Sequence, residues 1–206
     1  MALERRWIQG TNTLKAIIFD LDGTLIRLPI NYPRLLQRLQ DLFGTKEELK
    51  PLMPSITRFA GTNDLLQKKA FEIMSEEESL AINNFEIIEG AQEILMHFKT
   101  QKFILGLVTM QGRQITEKIL QKLAPSIFES IITRDESIDR LEQIQKTIQH
   151  NRLEPNQIVM IGDRIHDAEC AKKAYCTPIL FKVKPTKFND CKIITSLFEL
   201  KSIISN

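Results

Sequence analysis

The sequence predicts a doubly wound α/β fold with a parallel sheet and a small inserted helical module. Three observations lead there. Short, continuous apolar runs recur along the chain, a pattern suited to strands covered on both faces. Segments with helical periodicity separate these runs. The alternation breaks once, in a long helical stretch directly after the first run.

In order, the strand candidates are residues 16–19, 103–108, 130–133, 158–161 and 179–183, each rich in Ile, Val or Phe. The helical stripes between them start with Ala91, Ile94, Leu95 and Phe98. Next come Ile115, Ile119, Leu120 and Leu123, then Ile138, Leu141, Ile144 and Ile148. Ala168, Ala171 and Tyr175 make a smaller stripe. Leu197, Leu200, Ile203 and Ile204 repeat the pattern behind a capping box, Ser196 with Glu199.

The break is a matter of length. A βαβ unit takes only about 30 residues or a little more. A helix at 90–99 already supplies the first crossover, so roughly 60 residues between 27 and 87 are surplus by that estimate. Their pattern is helical. Pro33 can open a helix bearing Leu35, Leu36, Leu39, Leu42 and Phe43. Thr45 and Glu48 form a capping box for a second. Leu65, Leu66, Ala70, Ile73 and Met74 mark a longer third, and Pro51 and Pro54 separate the helices. The expected division is a core of residues 1–26 and 88–206 with a helical module at 27–87. Ligands of open α/β sheets bind beyond the carboxyl ends of the strands. The insertion leaves from that edge, where it can cover whatever binds.

Bulk properties narrow the function classes. Hydrophobic content of 43% and charged content of 26% suit a soluble globular protein. A net charge of +2 gives no reason to expect nucleic acid or an anionic membrane. The opening "MALERRWIQG" is too charged for a signal peptide, and no apolar run approaches the roughly 20 residues of a membrane span. Cys170, Cys176 and Cys191 show no CxxC pattern and read as reduced thiols in a cytoplasmic protein. A monomer or homodimer is expected. Trp7, in an N-terminal extension, is expected to pack on the domain surface or on a neighbouring chain.

Two strand ends carry paired carboxylates. In "FDLDGT" they are Asp20 and Asp22, followed by Gly23 and Thr24. In "VMIGDRIHD" they are Asp163 and Asp167, four residues apart and so on one side of a helix start. Aspartates also favour helix N-termini for the macrodipole alone. If the two strands are neighbours, up to four carboxylates crowd one sheet edge and raise one another's pKa values. A hard cation removes that difficulty, and Mg2+ commonly bridges one or two carboxylates to a phosphate. Two further strand ends offer phosphate-compatible groups. "LVTMQG" supplies Thr109 and, at a helix start, Gly112. "TRDESIDR" supplies Arg134 and Arg140.

These residues resemble the motifs of the haloacid dehalogenase-like (HAD) superfamily, phosphatase branch, of the phosphoglycolate phosphatase-like kind. "DLDGT" at 20–24 matches the first motif, "LVT" at 107–109 the second and "GDRIHD" at 162–167 the fourth. The third is usually a lysine upstream of the fourth. Arg140 is the nearest cation at that spacing, and Lys146 is the other candidate. Met110 and His166 stand where Asn is common. The resemblance covers nearly the whole chain and implies a Rossmann-like core with a small inserted α-helical cap at 27–87.

It also implies a Mg2+-dependent phosphoric monoester hydrolase acting on a small phosphorylated metabolite through an aspartyl-phosphate. Asp20 is then the nucleophile and Asp22 the acid and base. Thr109 and Arg140 hold phosphoryl oxygens with Gly23 and Thr24 near the substrate. Asp20, Asp22 (through its carbonyl), Asp163 and Asp167 form the metal set. The cap's closure excludes water and selects the substrate. Asp22 separates the chain from true haloacid dehalogenases, which by the family pattern lack this acid. Two other functions fit the same residues. A sugar phosphomutase shares the motifs and interconverts isomers rather than releasing phosphate. A non-catalytic binding or regulatory protein would keep the fold without turnover. Arg34, Arg58 and Lys68 in the insertion are cations that an anionic substrate could meet.

Overall fold

The computed structural model describes residues 14–181 and 191–204. Trp7 and the end of the last strand candidate lie outside the described residues. Six strands form one parallel sheet: β1 (Ala16–Asp20), β4 (Ile104–Val108), β5 (Ser130–Ile132), β6 (Ile158–Gly162), β7 (Thr177–Phe181) and β8 (Lys192–Ile194). Their order is β5-β4-β1-β6-β7-β8, and every neighbouring pair runs parallel. All five expected strands are present. β8 was not expected.

β1 lies at the centre, and all five of its residues are buried. Helices cover such a sheet on both faces, which is why Ile17, Ile18 and Phe19 follow one another with no polar alternation. Each buried Ile or Phe contributes roughly 1.5–3 kcal/mol through removal from water. The helices of this unit are α4 (Ala91–Thr100), α5 (Arg113–Leu123), α6 (Arg140–Asn151), α7 (Ile165–Lys173) and the short α8 (Leu200–Ile203). Their expected stripes point inward: Ile94, Leu95 and Phe98 of α4 and Ile115 and Ile119 of α5 are at most 1% exposed. Tyr175 leaves its expected stripe. It lies past the end of α7 with φ of 61° and is exposed.

The chain divides into two compact units, Leu28–Phe85 and the remaining described residues. It leaves and re-enters the sheet unit through an antiparallel ribbon of β2 (Ile26–Arg27) and β3 (Glu86–Ile87), with Ile26 opposite Ile87.

The smaller unit is helical: α1 (Tyr32–Phe43), α2 (Leu52–Ala60) and α3 (Asp64–Ala81). Asn31 caps α1 by accepting the Arg34 N–H, and Gly44 ends it in the left-handed region. Leu35, Leu39, Leu49, Ile56, Ala70 and Met74 form its core. Two expectations fail here. Thr45 and Glu48 cap no helix; the Thr45 hydroxyl accepts from the Glu47 N–H in a turn. A helix begun there would meet Pro51 in its interior, where proline lacks the required N–H. The second helix instead starts just after Pro51, with Pro54 in its first turn rather than between helices.

The cations offered by the insertion are largely engaged. Arg34 clamps the buried Glu77 with bonds of 2.7–3.0 Å, and Arg38 is a second partner at 3.0 Å. The Arg34 and Arg38 hydrogen bonds hold the Glu77 carboxyl below its usual range against the cost of burial. Arg58 pairs with Glu47 at 2.8 Å and lies over the Phe59 ring. Lys68 is exposed.

Candidate active site

β1, β4 and β6 lie side by side and end at the same edge, with Asp20 opposite Val108 and Phe19 opposite Ile161. The sheet grows from β1 first towards β4 and β5, then towards β6, β7 and β8, so β1 stands at the switch point. Asp20 is the last residue of β1, Thr109 follows β4, and Asp163 follows β6.

The turn after β1 is tight. The Leu21 carbonyl accepts the N–H groups of Leu25 and Ile26 at 2.9 and 3.0 Å, and Gly23 N–H donates to the Ile26 carbonyl at 2.8 Å. Gly23 sits at φ of +93°, a conformation that side chains rarely adopt. A Cβ there would lie 2.5 Å from Asp163 Cγ, so the Asp163 carboxylate rests directly against this glycine. The close approach brings the turn bearing Asp22 to the end of β6. Asp22 is half-buried, and the Thr24 hydroxyl is buried without a hydrogen-bond partner among the described residues.

Asp167 lies in the first turn of α7 and accepts the Arg164 N–H at 3.2 Å. It is 2% exposed, and a Cβ on Gly162 would fall 2.5 Å from its Oδ2. His166 points elsewhere, towards Glu169 and Cys170, with its side chain exposed.

Arg140 opens α6 behind Asp139, whose side chain accepts the Glu142 N–H. Its guanidinium bridges two carboxylates. One Nη donates to Asp20 Oδ1 at 2.6 Å, and Nε meets Asp167 Oδ1 at 3.0 Å. The other Nη donates to Gln143 Oε1 at 3.1 Å. Lys146 pairs with Glu142 at 3.0 Å on the surface, so Arg140 is the cation that meets the carboxylates. The guanidinium fork is turned onto these two carboxylates.

Thr109 is fully buried, and its hydroxyl contacts the Gln111 side chain. Its carbonyl accepts Gln143 Nε2 at 2.9 Å. Arg134 is buried nearby and donates to the Met110 carbonyl at 2.7 Å. Gln143 was not singled out from the sequence. Its only signal there is its position one helical turn after Arg140 on α6.

The electrostatics show a cluster short of positive charge. Burial pushes the Asp20 carboxyl well above its usual range. Arg140 opposes that shift, and Asp167 and Asp163 add to it. Burial likewise raises Asp163 to about 6, with Arg164 opposing and Asp167 and Asp22 adding. Asp163 Oδ1 is buried with no hydrogen-bond partner among the described residues. An all-oxygen donor set with an unsatisfied carboxylate oxygen fits a hard divalent cation. Among the described residues no three Asp, Glu, His or Cys side chains converge into a complete cage.

A stability prediction follows from Asp163. Its folded pKa lies above its usual 3.8, so between about pH 4 and pH 6 the native state binds more protons than the unfolded state. Its contribution to stability therefore falls as pH rises through this window, by on the order of 2 kcal/mol. In chelator, Asp163→Asn should gain thermal stability relative to wild type on going from pH 4 to pH 7. Added Mg2+ at pH 7 should raise the wild-type melting temperature more than that of the variant. A constant difference across pH would contradict the burial argument.

Residues 17–181 match the model of the haloacid dehalogenase-like hydrolase family. The chain is similar to a haloacid dehalogenase-like hydrolase domain-containing protein of Arabidopsis thaliana, 24% identical over 172 residues. The alignment covers 78% of this chain and 68% of the relative. The pyrophosphatase PpaX of Bacillus cereus is 24% identical over 165 residues, covering 75% of this chain and 76% of that protein. The crystal structure of a haloacid dehalogenase-like hydrolase from Bacteroides fragilis superposes with a TM-score of 0.71 at 20% identity. It covers 91% of this chain and 100% of that one. The carboxylates at two neighbouring strand ends, those of β1 and β6, thus stand on a fold shared with these proteins, and the chain belongs to the haloacid dehalogenase-like hydrolase family.

Proposed function

We propose that this chain is a Mg2+-dependent phosphatase that hydrolyses a small phosphorylated metabolite through an aspartyl-phosphate. One observation carries the reading. The buried Asp20 ends β1 at the sheet edge where the paired β6 brings in Asp163, a carboxylate with an unsatisfied oxygen that rests against the glycine turn bearing a second acid, Asp22. The relationship to PpaX, a pyrophosphatase, supports phosphoryl transfer as the chemistry.

In this reading Asp20 attacks phosphorus in line, forming an oxygen–phosphorus bond as the ester oxygen leaves. Asp22, as a neutral acid, gives its proton to the departing alkoxide. As a carboxylate it then takes a proton from water, which displaces phosphate and frees Asp20. Arg140 orients Asp20 and offsets charge through its 2.6 Å bond. The Thr109 and Thr24 hydroxyls and the Gly23 backbone meet phosphoryl oxygens. Asp20, Asp163 and the Asp22 carbonyl would hold Mg2+, with Asp167 behind them, and the ion supplies charge neutralisation at the phosphoryl group.

A panel of phosphorylated metabolites assayed with Mg2+ and with chelator tests the proposal. Phosphate release only with Mg2+ supports it. Isomer interconversion without phosphate release would favour a phosphomutase, and no turnover of any kind would favour a binding protein. Asp22→Asn should lower kcat by about 10^2- to 10^4-fold with the melting temperature little changed. Near-full turnover would remove Asp22 from its role. Among the described residues no helix is long and apolar enough to cross a membrane. Cys170 and Cys176 are buried free thiols, which supports placing the enzyme in the reducing cytoplasm.

A further inference from the structure

Gln143 lies outside every motif of the sequence, yet it is fully buried and joins three parts of the site. Its Nε2 donates to the Thr109 carbonyl at 2.9 Å and to the Ser137 carbonyl at 2.8 Å. Its Oε1 accepts from Arg140 at 3.1 Å. Two carbonyl oxygens can be met only by the amide nitrogen, and a guanidinium only by the amide oxygen. The neighbours therefore fix which way the amide faces.

Arg140 shows the matching demand. A guanidinium has donors on all three nitrogens and no acceptor. Asp20 takes one Nη and Asp167 takes Nε. Among the described residues, Gln143 alone accepts from the remaining Nη. Without it a donor would be left unsatisfied in a position that is 6% exposed. An ammonium group at this position is a point charge, which two carboxylates can satisfy without a third anchor. A planar fork needs the third contact to keep its plane.

We propose that Gln143 is a positioning residue: it locks the Arg140 guanidinium in plane between Asp20 and Asp167 and ties it to the strand end that carries Thr109. Its consequence for turnover rests on the phosphatase reading above. Arg140 and Gln143 then form one unit, three residues apart on α6, and arginine works here because the glutamine accompanies it. The unit predicts strong coupling between the two positions.

The test combines spectroscopy with kinetics. In protein labelled with 15N in its arginine side chains, the Nη protons of Arg140 should appear as separate resonances, identified by their loss in Arg140→Lys. Gln143→Met, similar in length but without the amide, should merge them. On an aryl phosphate with Mg2+, Gln143→Met should lower kcat by about 10- to 100-fold, the scale of one hydrogen bond to a charged group, with KM changing much less. In the Arg140→Lys background the same substitution should change kcat far less.

Merged Nη resonances in wild type overturn the inference, and that spectrum decides even if Gln143→Met does not fold. Resonances still resolved in Gln143→Met overturn it as well. Equal losses of kcat in the two backgrounds also overturn it, because Gln143 would then act through Thr109 and Ser137 alone. A wild type whose Arg140 is held by Gln143 but which releases no phosphate from any substrate supports the anchoring and overturns the phosphatase reading instead.

Discussion

Asp20→Asn is expected to abolish hydrolysis of an aryl phosphate, by at least about 10^4-fold, while the chain stays folded. The two halves of this result have separate causes. An amide cannot form the covalent phosphoryl intermediate, so the loss in rate reflects the chemistry of the atom replaced. The amide does keep an oxygen where Asp20 Oδ1 accepts from Arg140 at 2.6 Å. Burial already favours the neutral form of this side chain, so an uncharged group is well suited to the site. Asp20→Ala lacks that oxygen and leaves a buried guanidinium donor short of an acceptor, at a cost of about 1–3 kcal/mol. The measurement is kcat beside a thermal melt for both variants. Acid quenching of a 32P-labelled substrate should leave label on wild type and none on Asp20→Asn. Turnover by Asp20→Asn equal to that of wild type would end the nucleophile assignment.

The sequence revealed the sheet and the carboxylates for a common reason. β1, β4 and β6 are covered on both faces and so read as unbroken apolar runs, and a buried acid at the end of such a run stands out. β8 escaped notice because Lys192–Ile194 contributes a single buried residue, Ile194, to the sheet. Its strand character comes from pairing with β7, a long-range contact that no local pattern encodes. Thr45 and Glu48 misled in the opposite direction. The local capping signal was real, but Pro51 overruled it, and the hydroxyl went into a turn instead. At the site, Arg140 could be singled out by its charge near a strand end and by its match to the position of the family's third motif. Its actual partners, Asp20 and Asp167, come from β1 and α7, and only tertiary structure joins them. Gln143 was harder still. A neutral glutamine on a helix normally reads as a solvent-facing residue, and its burial depends on two carbonyls contributed by separate loops.

Gly23→Ala should combine a loss of stability with a loss of Mg2+ response, and the second effect is the diagnostic one. Two penalties meet at this residue. Its φ of +93° is strained for any residue with a Cβ, at about 1–2 kcal/mol. The added methyl would also stand 2.5 Å from Asp163 Cγ, too close for both groups to stay in place. Asp163 leaves the end of a buried strand, so its backbone has little room to retreat and its carboxylate must swing away. The turn would shift in the other direction and re-aim Asp22. A displacement of about 1 Å at a reacting group can cost 10^2-fold in rate, so kcat/KM should fall by at least about that factor. The Mg2+ concentration for half-maximal activity should rise, and the stabilisation that Mg2+ gives in a thermal melt should shrink. Gly44→Ala separates the two penalties. Gly44 also has a positive φ, of +62°, but a Cβ there meets nothing within 4 Å. That variant should lose some stability from backbone strain alone and keep both its rate and its Mg2+ response. If Gly23→Ala behaved like Gly44→Ala, the close packing of Asp163 on the turn would be incidental to the chemistry. If the two diverge as expected, the glycine of "DLDGT" serves the metal site through the space its missing side chain leaves for Asp163.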